Sequence, residues 1–495
     1  MKLHTPREPL AENLGYSRHR SDPIGKARYE TRKSETRREQ HLPALSIKAT
    51  GQAARDYDFV GARGPIKTTN VIESIGHLVK SCLGGGVVGI HEAYKGCGLI
   101  SALILNIFLG LFVGYCMHML VHNAQIMYGR LQIPRMSYPD IAEATLATCP
   151  FIKIRRFARP FRYAVDATIG IDLFGSCCVY SVIIARSIKQ LLEDSKTVDY
   201  INIRILIACL IIPCILICWI TQLKYLAPFS IVADIFIVLV AISTVYYGST
   251  AATKPPSEFP AFKNLEGFLE FVGVCVFSME GVGVSMPIEN HMANPRKFPV
   301  VLFGGMGIVL GIVMIIGFFG YWGFGESAVA PITNNFPWAV FPIILKVLMA
   351  LMIYVTFALN FWVPFDLVWY YLKKRHPENK LWFWERVYRT GMVIVIVLLA
   401  VAFPDVSSFM GFLGCFCLSL MGFIFPAFIE LCVVWEDPGL GYMKWRLVKA
   451  CAIIIFGILL CILGTISNVK GLIKAAMKSD SKQGPGPAPE PAPEA

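Results

Sequence analysis

Long apolar stretches separated by short polar connections dominate the sequence between residues 70 and 470. Each stretch is about 20 residues long, the length at which an α-helix crosses the roughly 30 Å hydrocarbon core of a bilayer. Because lipid offers the backbone no hydrogen-bond partners, such stretches are predicted to be helices. We number them spans one to eleven, in chain order 71–94, 97–121, 163–184, 204–221, 226–247, 268–288, 300–323, 339–364, 387–403, 407–435 and 447–468. The pattern predicts an all-α polytopic membrane protein with about eleven transmembrane helices.

Polar segments flank the apolar region on both sides. Residues 1–69 mix Arg, Lys, Glu, Ser and Pro without apolar periodicity, so we expect a disordered, basic tail. Residues 471–495 end in GPGPAPEPAPEA, which predicts a stiff, solvated, proline-rich tail. Residues 70–470 between them form the predicted transmembrane domain.

Composition and charge support a membrane location and predict an orientation. Hydrophobic residues are 55% of the chain and charged residues only 16%, whereas soluble domains carry about a quarter charged residues. Lysine and arginine concentrate in residues 1–70, 122–162 and 373–386, which share one side of the membrane if the spans alternate. Such loops stay cytosolic, so we expect a cytosolic N-terminus and a luminal or extracellular C-terminus. These flanks account for the net charge of +12, and nucleic acid is not expected as a partner.

The cysteines and the short motifs exclude several classes of function. Nearly all of the 15 cysteines lie inside spans, where a thiol usually behaves as a small hydrophobic group rather than as half of a disulfide. No Cys-x-x-Cys pair has the spacing of a metal site, and no metal is expected. The sequence also contains no Walker loop, HExxH or GxSxG signature. We therefore expect neither an enzyme nor an ATP-driven pump.

Glycine runs interrupt two spans near the middle of the membrane. Span one has three consecutive glycines at 84–86, and span six has the sequence SMEGVG at 278–283. Each glycine costs about 1 kcal/mol in helix propensity relative to alanine. Spans one and six hold matching positions in two five-helix halves, and breaks at such positions indicate a transporter site. The alternative is that the glycines only let helices pack closely, which explains a triplet with a symmetric partner less well.

Four segments resemble the proton-coupled amino-acid transporters, a branch of the amino acid/auxin permease superfamily. The sequence from Leu269 to Pro299, with FSMEGVG and MPIENHMANPRKFP, is similar to that family's sixth span and following loop. GHLVKSCLGGGVVG at 76–89 resembles its first span, CCVYSVIIARSIKQ at 177–190 its third and FALNFWVP at 357–364 its eighth. The resemblance covers essentially the whole membrane domain.

This resemblance implies a LeuT-like 5+5 inverted repeat with one extra helix. It also implies symport of small neutral amino acids of the glycine, alanine and proline class, with the proton as coupling ion and no other cofactor. Family members work at the plasma membrane or at lysosomal and endosomal membranes. Some are described as nutrient sensors, so a transporter-like sensor that signals through cytosolic partners stays open as an alternative. A channel fits poorly, because channels generally build their pores from oligomeric symmetry.

The sequence departs from this family pattern at several positions. The family usually carries Gly-Thr-Gly in place of Gly84–Gly86, Leu-Pro in place of His91-Glu92 and Asp-Asn in place of Arg186-Ser187. Its mammalian members have one cysteine in each of two external loops, and both loops lack cysteine here. These departures favour a divergent or invertebrate member, and they bear on its substrate range and transport competence.

Backbone groups freed by the two breaks are predicted to bind the amino acid. Its carboxylate is expected at the half-helix that begins near Gly86, where free amides and the positive end of the helix dipole favour an anion. Its ammonium is expected at freed carbonyls of both spans. The residues assigned to this site are Leu83, Gly84, Gly85, Gly86, Val87, Phe277, Ser278, Met279, Gly281 and Tyr180. Tyr180 and Met279 are expected near the pocket that sets side-chain size.

Ionisable residues inside spans are functional candidates by default. His77, two turns before the glycine triplet, matches the position at which the family places a histidine implicated in proton coupling. Glu280 lies in the break of span six, where it accepts a proton or braces the unwound segment. We assign both to proton coupling, with a helix-packing role as the alternative for His77. Asp172 on span three is acidic where the family is usually neutral.

Overall fold

The computed structural model describes residues 46–64, 68–196, 201–220 and 227–481. The regular structure of this part of the chain is helical, apart from one isolated β-bridge between Thr69 and Met292. The predicted all-α class is confirmed. Seven helices are long and apolar enough to cross a membrane, and a bent pair in span one adds an eighth by the same criteria. The count of eleven crossings stays a prediction.

A helix, or a pair of helices, occupies each predicted span. The helices are Val71–Cys82 with Ile90–Cys97 in span one, Leu99–Leu131 in two, Ala158–Asp194 in three, Ile203–Cys209 with Ile211–Cys218 in four, Ala227–Ala251 in five, Leu265–Ser278 with Val282–His291 in six, Phe298–Phe324 in seven, Val340–Leu372 in eight, Leu381–Ala402 in nine, Val406–Leu413 with Phe425–Val434 in ten, and Trp445–Leu459 with Thr465–Ser481 in eleven. Shorter helices lie at Gly51–Arg55, Tyr138–Thr148 and Ile152–Arg155.

Several helices extend beyond the apolar stretches that predicted them. The helix of span three has 37 residues, which at 1.5 Å per residue is about 55 Å and exceeds the hydrocarbon core. Its polar ends therefore reach past the membrane core. The last helix continues to Ser481, although the sequence predicted a tail from residue 471. Leu472 stays buried and gives this extension an apolar contact. Residues 482–495 lie outside the described part of the chain.

Spans ten and eleven each contain a stretch of π-helix, which the sequence did not predict. The stretches are Gly414–Ile424 and Leu460–Gly464. π-Helical turns are rare and occur frequently at functional sites. Beside the longer stretch, Gly273 of span six packs directly against the backbone of Gly411 and Gly414. Only glycine permits so close an approach at this contact, and it holds span ten against the helix that leads into the break of span six.

Residues 47–64, which we call the tail-side segment, pack against the helix bundle, whereas the sequence predicted disorder up to residue 69. The Lys48 amide donates to the Arg130 carbonyl at 2.8 Å, at the end of span two. Phe59 is buried, with its ring 5.5 Å from that of Tyr128. The prediction was wrong because this segment is held by a few specific contacts rather than by periodic apolar residues. Residues 1–45 and 65–67 of the predicted tail lie outside the described residues.

Candidate functional site

Span one is broken at the glycine triplet, as predicted. Its first helix ends at Cys82, residues 83–86 are not helical, and a 3-10 turn at Val87–Gly89 leads into the second helix. The two helices are bent by 51° relative to each other. A break of this kind leaves backbone groups unpaired, which a membrane protein tolerates only inside protein or beside a cavity. The glycines and their neighbours Leu83 and Val87 are accordingly enclosed by other spans.

Span six is broken at the matching position. Its first helix ends at Ser278 and its second begins at Val282. The intervening residues are Met279, Glu280 and Gly281, which lie inside the predicted sequence SMEGVG. Ser278 and Met279 are fully buried. The break of span six therefore lies in the protein interior, as the sequence predicted for a site rather than for a lipid-facing kink.

The two breaks contact each other through glycine. A Cβ atom added to Gly86 would lie 2.9 Å from a ring carbon of Phe277 and 3.0 Å from the Cα of Ser278. A Cβ atom added to Gly281 would lie 2.7 Å from the Cys82 sulfur. The distances to Phe277 and to the Cys82 sulfur are shorter than real Cβ contacts, and the distance to Ser278 is at their lower limit, so neither position has room for a side chain unless its neighbour moves. The close approach of the two backbones therefore depends on glycine at 86, whereas Gly281 leaves room for the Cys82 side chain.

Several backbone groups at the breaks have no backbone partner among the described residues. The amides of Gly85 and Gly86 donate no backbone hydrogen bond, and the carbonyls of Leu83 and Ser278 accept none. The Val87 amide, in contrast, was predicted to be free. It donates to the Gly84 carbonyl at 3.3 Å. The Gly85 amide interacts with the Tyr180 hydroxyl instead. The Gly86 amide and the two carbonyls are a donor and acceptors suited to the carboxylate and the ammonium of an amino acid.

Tyr180 of span three lies against the first break. Cβ atoms added to Gly84 and Gly85 would lie 3.2 Å from its hydroxyl oxygen and 2.5 Å from a ring carbon. The Asn360 side chain of span eight donates a hydrogen bond to the Tyr180 hydroxyl at 3.1 Å. The sequence did not single out Asn360, although an amide within an apolar span was a signal that could have identified it. Spans one, three and eight therefore meet at this point.

A cavity of about 30 Å³ adjoins the first break. It is lined by Leu83, Gly84, Gly85, Val88, Phe236, Ile237, Met349, Met352, Ile353 and Thr356. Spans five and eight supply its other walls. No residue of the second break lines it, although both breaks were predicted to bind the same amino acid. A volume of this size holds a water molecule but not an amino acid. The site is closed in this conformation.

The ionisable candidates lie in different surroundings. His77 is on the exposed face of the first helix of span one, away from the break. Glu280 is only partly exposed, and Asp172 is fully buried. The carboxyl groups of Asp172 and Glu280 are neighbours and interact electrostatically. The structure thus brings Glu280 and Asp172 together between spans three and six, but it does not bring His77 to them.

One end of the helix bundle, which we call the far end, is closed around Arg186 of span three. Its guanidinium lies 3.1 Å from Asp405 and 3.7 Å from Glu92 of span one. It also donates to the carbonyls of Ala330 and Pro404, each at 3.2 Å. One arginine therefore joins the second half of span one to the loop before span eight and the corner between spans nine and ten.

The opposite end, which carries the tail-side segment, is closed around Glu289 at the end of span six. The Arg63 guanidinium donates to both carboxylate oxygens, at 3.0 and 3.1 Å, and to the Glu289 carbonyl at 3.0 Å. Tyr128 and Gln125 of span two donate to the same carboxylate. The Arg63 and Glu289 side chains are 5% and 0% exposed, so this ion pair is buried. We call these four residues the Glu289 cluster.

Comparison with known proteins gives consistent relatives. A family model described as "Transmembrane amino acid transporter protein" matches residues 67–469. The proton-coupled amino acid transporter-like protein pathetic of Drosophila melanogaster is 34% identical over 443 residues, which are 89% of this chain and 93% of the relative. The probable amino acid transporter skat-1 of Caenorhabditis elegans is 25% identical over 418 residues, 81% and 90% of the two chains.

Among solved structures, Mhp1 in its inward-facing conformation resembles this chain with a TM-score of 0.50 and 11% sequence identity. The match covers 84% of this chain and 92% of Mhp1. Mhp1 is a nucleobase-cation-symport-1 family transporter. At this identity the likeness concerns the fold, and it confirms the predicted LeuT-like architecture.

Proposed function

Because this chain belongs to the transmembrane amino acid transporter family, we propose that it is a secondary active transporter of small neutral amino acids, coupled to protons. The protein is an integral membrane transporter rather than an enzyme. One observation carries the finer proposal: the breaks of spans one and six touch each other and present an unpaired amide and unpaired carbonyls. Such groups recognise the part of the substrate that all amino acids share.

The surroundings of the breaks favour small substrates. The Tyr180 ring lies against Gly85, and Met279 and Phe277 fill the space beside the second break. Near the backbone groups, little volume remains for a long side chain. Glycine, alanine and proline therefore fit the site better than large amino acids do, and the backbone contacts serve each of them equally.

Transport requires that the site open to one side of the membrane at a time. Both ends of the bundle are closed here, the far end by Arg186 and the opposite end by the Glu289 cluster. Each closure joins a half of a broken span to a neighbouring element: Glu92 belongs to span one, and Glu289 to span six. Release of one closure while the other holds gives alternating access around the breaks.

For the orientation we propose a cytosolic N-terminus, supported by the clustering of lysine and arginine on the tail side of the bundle. The Glu289 cluster is then the cytosolic closure, and Arg186 holds the extracellular or luminal one. We place the protein at the plasma membrane or at lysosomal and endosomal membranes, where the resembling transporters work.

A sensor function is the second candidate, and the tail-side segment supports it. Arg63 connects this segment to Glu289, which ends the helix that follows the second break. Any movement of that helix on substrate binding would therefore pull on the segment that leads to the N-terminal tail. A sensor binds amino acids and changes the exposure of this segment without catalysing net uptake, so uptake measurements separate the two functions.

The proposed function is tested in proteoliposomes that contain the full chain. Uptake of labelled glycine, alanine and proline is measured with and without an imposed inward proton gradient, and empty liposomes are the control. We expect all three to enter, faster with the gradient, and labelled phenylalanine to enter poorly. If the three amino acids bind but are not taken up under either condition, the transporter proposal is wrong and the sensor is favoured.

A further inference from the structure

We propose that Asp172 of span three and Glu280 in the break of span six together form the proton-binding site of this transporter. This inference rests on the proposed function and deepens it, since it assigns the coupling ion to two residues. It differs from the expectation that His77 carries the proton. Asp172 is buried without a hydrogen-bond partner among the described residues, the Glu280 carboxyl lies beside it, and the two residues belong to different spans.

Asp172 lacks the partners that a buried carboxylate requires. The residue is fully buried, and neither of its carboxylate oxygens has a hydrogen-bond partner among the described residues. Buried polar groups are satisfied in the great majority of cases, and each exception needs an explanation. Its neighbour is the Glu280 carboxyl. Two ionised carboxylates are both acceptors, so a proton between them supplies the missing donor.

No positive charge in the described part of the chain neutralises this pair. Among the described residues, neither carboxyl group interacts with a lysine, arginine or histidine. The titratable groups that face the pair are weak acids: Cys82 of span one, Tyr180 of span three and Cys417 in the π-helix of span ten. All are neutral when protonated. Two adjacent carboxylates without a cation repel each other in the membrane interior, and a shared proton removes that repulsion.

A metal ion does not fit this site as well as a proton does. Among the described residues, no group of three or more His, Cys, Asp or Glu side chains is arranged to hold a metal. Two carboxylates alone provide fewer ligands than the six or more oxygens that calcium takes. A proton needs only two oxygens, one bonded covalently and one accepting a hydrogen bond.

The elements that carry the pair explain how protonation is coupled to transport. Asp172 belongs to the continuous helix of span three, whereas Glu280 belongs to the break whose backbone is proposed to bind substrate. Tyr180, two turns after Asp172 on the same helix face, contacts the first break. When a proton forms an O–H bond with one carboxylate, the other carboxylate accepts a hydrogen bond from that O–H. The two spans then draw together around the substrate. When that O–H bond breaks and the proton passes to water, repulsion separates them.

Glu280 gives the proton a route to the buried partner. Glu280 as a residue is partly exposed whereas Asp172 is fully buried. A proton therefore reaches Glu280 first and is shared with Asp172 as the site closes. The same route in reverse releases it once the other end of the bundle has opened.

The test measures two activities of each variant in proteoliposomes: glycine uptake driven by a proton gradient, and glycine exchange without a gradient. Asp172→Asn and Glu280→Gln are expected to lose the acid stimulation of uptake and to keep exchange, which needs no net proton movement. Asp172→Glu, which keeps the carboxyl group, is expected to keep part of the stimulation. Glu430→Gln is the matched control, because Glu430 is a span carboxylate whose partner is Lys449 at 2.6 Å, far along the sequence from either break.

Infrared difference spectra between acid and neutral pH provide a readout that does not depend on transport. We expect the carbonyl band of a protonated carboxyl group in the wild type and its loss in the double variant Asp172→Asn/Glu280→Gln. An unchanged band in the double variant overturns the proposal, even if that variant is inactive in the transport assays.

Three further results overturn this assignment while leaving the proposed function intact. One is an Asp172→Asn variant whose glycine uptake is stimulated by acid as strongly as that of the wild type. The second is loss of acid stimulation in His77→Ala together with its retention in both carboxyl variants. The third is that the wild type takes up lysine or arginine and the carboxyl variants do not, while the acid stimulation of glycine uptake is unchanged in those variants. The pair would then bind a cationic substrate. Failure of the wild type to move any amino acid would instead refute the proposed function itself.

Discussion

At the scale of single residues, Gly86 determines how closely the two breaks approach each other. Its neighbours across the contact are the backbone of Ser278 and the ring of Phe277, and both lie within 3.0 Å of the place that a Cβ atom would occupy. A backbone has less freedom to move aside than the end of a flexible side chain does. One added methyl group at this position must therefore push the two breaks apart.

Gly86→Ala is expected to weaken glycine binding at least tenfold, a loss of about 1.4 kcal/mol. The separation of the breaks removes the simultaneous contact of substrate with both backbones. Binding is measured by the shift in thermal unfolding with glycine concentration. Gly76→Ala is the matched control on the same span, because nothing lies within 4 Å of its Cβ position. Equal binding by the two variants would show that the substrate does not depend on this contact.

Arg186 and Glu92 are two departures from the family pattern that are explained only by their contact with each other. Both stand where the resembling family usually has other residues, and in the sequence each reads as an isolated departure. In the structure they lie 3.7 Å apart as opposite charges. The two departures therefore compensate for each other across 94 positions of sequence, and a pairing of this kind is visible only when the fold brings spans one and three together.

At the scale of elements, the tail-side segment depends on the Glu289 cluster. Glu289 accepts hydrogen bonds from Arg63, Tyr128 and Gln125 while fully buried. Removal of one partner from a buried ion pair leaves an uncompensated charge and costs about 3–5 kcal/mol. That cost falls on the closed state of this end, because the opened end lets water reach the carboxylate.

Arg63→Ala is therefore expected to release the tail-side segment. Amide hydrogen exchange should rise in residues 47–64 and stay unchanged in span eleven, at the periphery. Lys48→Ala is the control, because its side chain is exposed and its contact with Arg130 is made by the backbone. Unchanged exchange in the segment of the Arg63 variant would mean that the segment is held by its other contacts.

The sequence predicted elements well where a cause is local. Apolar length determines that spans one to eleven are helices, and the lack of a side chain at 84–86 and 281 weakens the helix at those residues, so both breaks were predictable. The order in residues 47–64 was not, because it comes from Arg63 meeting a glutamate 226 positions away. The π-helix at Gly414–Ile424 was also missed, since nothing in its residue types distinguishes it from an α-helix.

At the scale of the whole molecule, the broken spans connect the site to the two closures. The breaks lie between Arg186 at the far end and the Glu289 cluster at the other, and each closure includes a half-helix of a broken span. The cavity of about 30 Å³ beside the first break is too small for an amino acid. The protein is thus closed on both sides, a state through which alternating access must pass.

The central claim is that substrate and proton move together through this protein. The most direct measurement follows both fluxes in the same proteoliposomes, with labelled glycine inside and out and a pH-sensitive dye in the lumen. An inward glycine gradient, imposed at equal pH on both sides, is predicted to acidify the lumen in proportion to the glycine that enters. Reversal of the glycine gradient is predicted to reverse the pH change. Glycine entry without any change in luminal pH, in liposomes shown to hold a pH gradient, would contradict the claim.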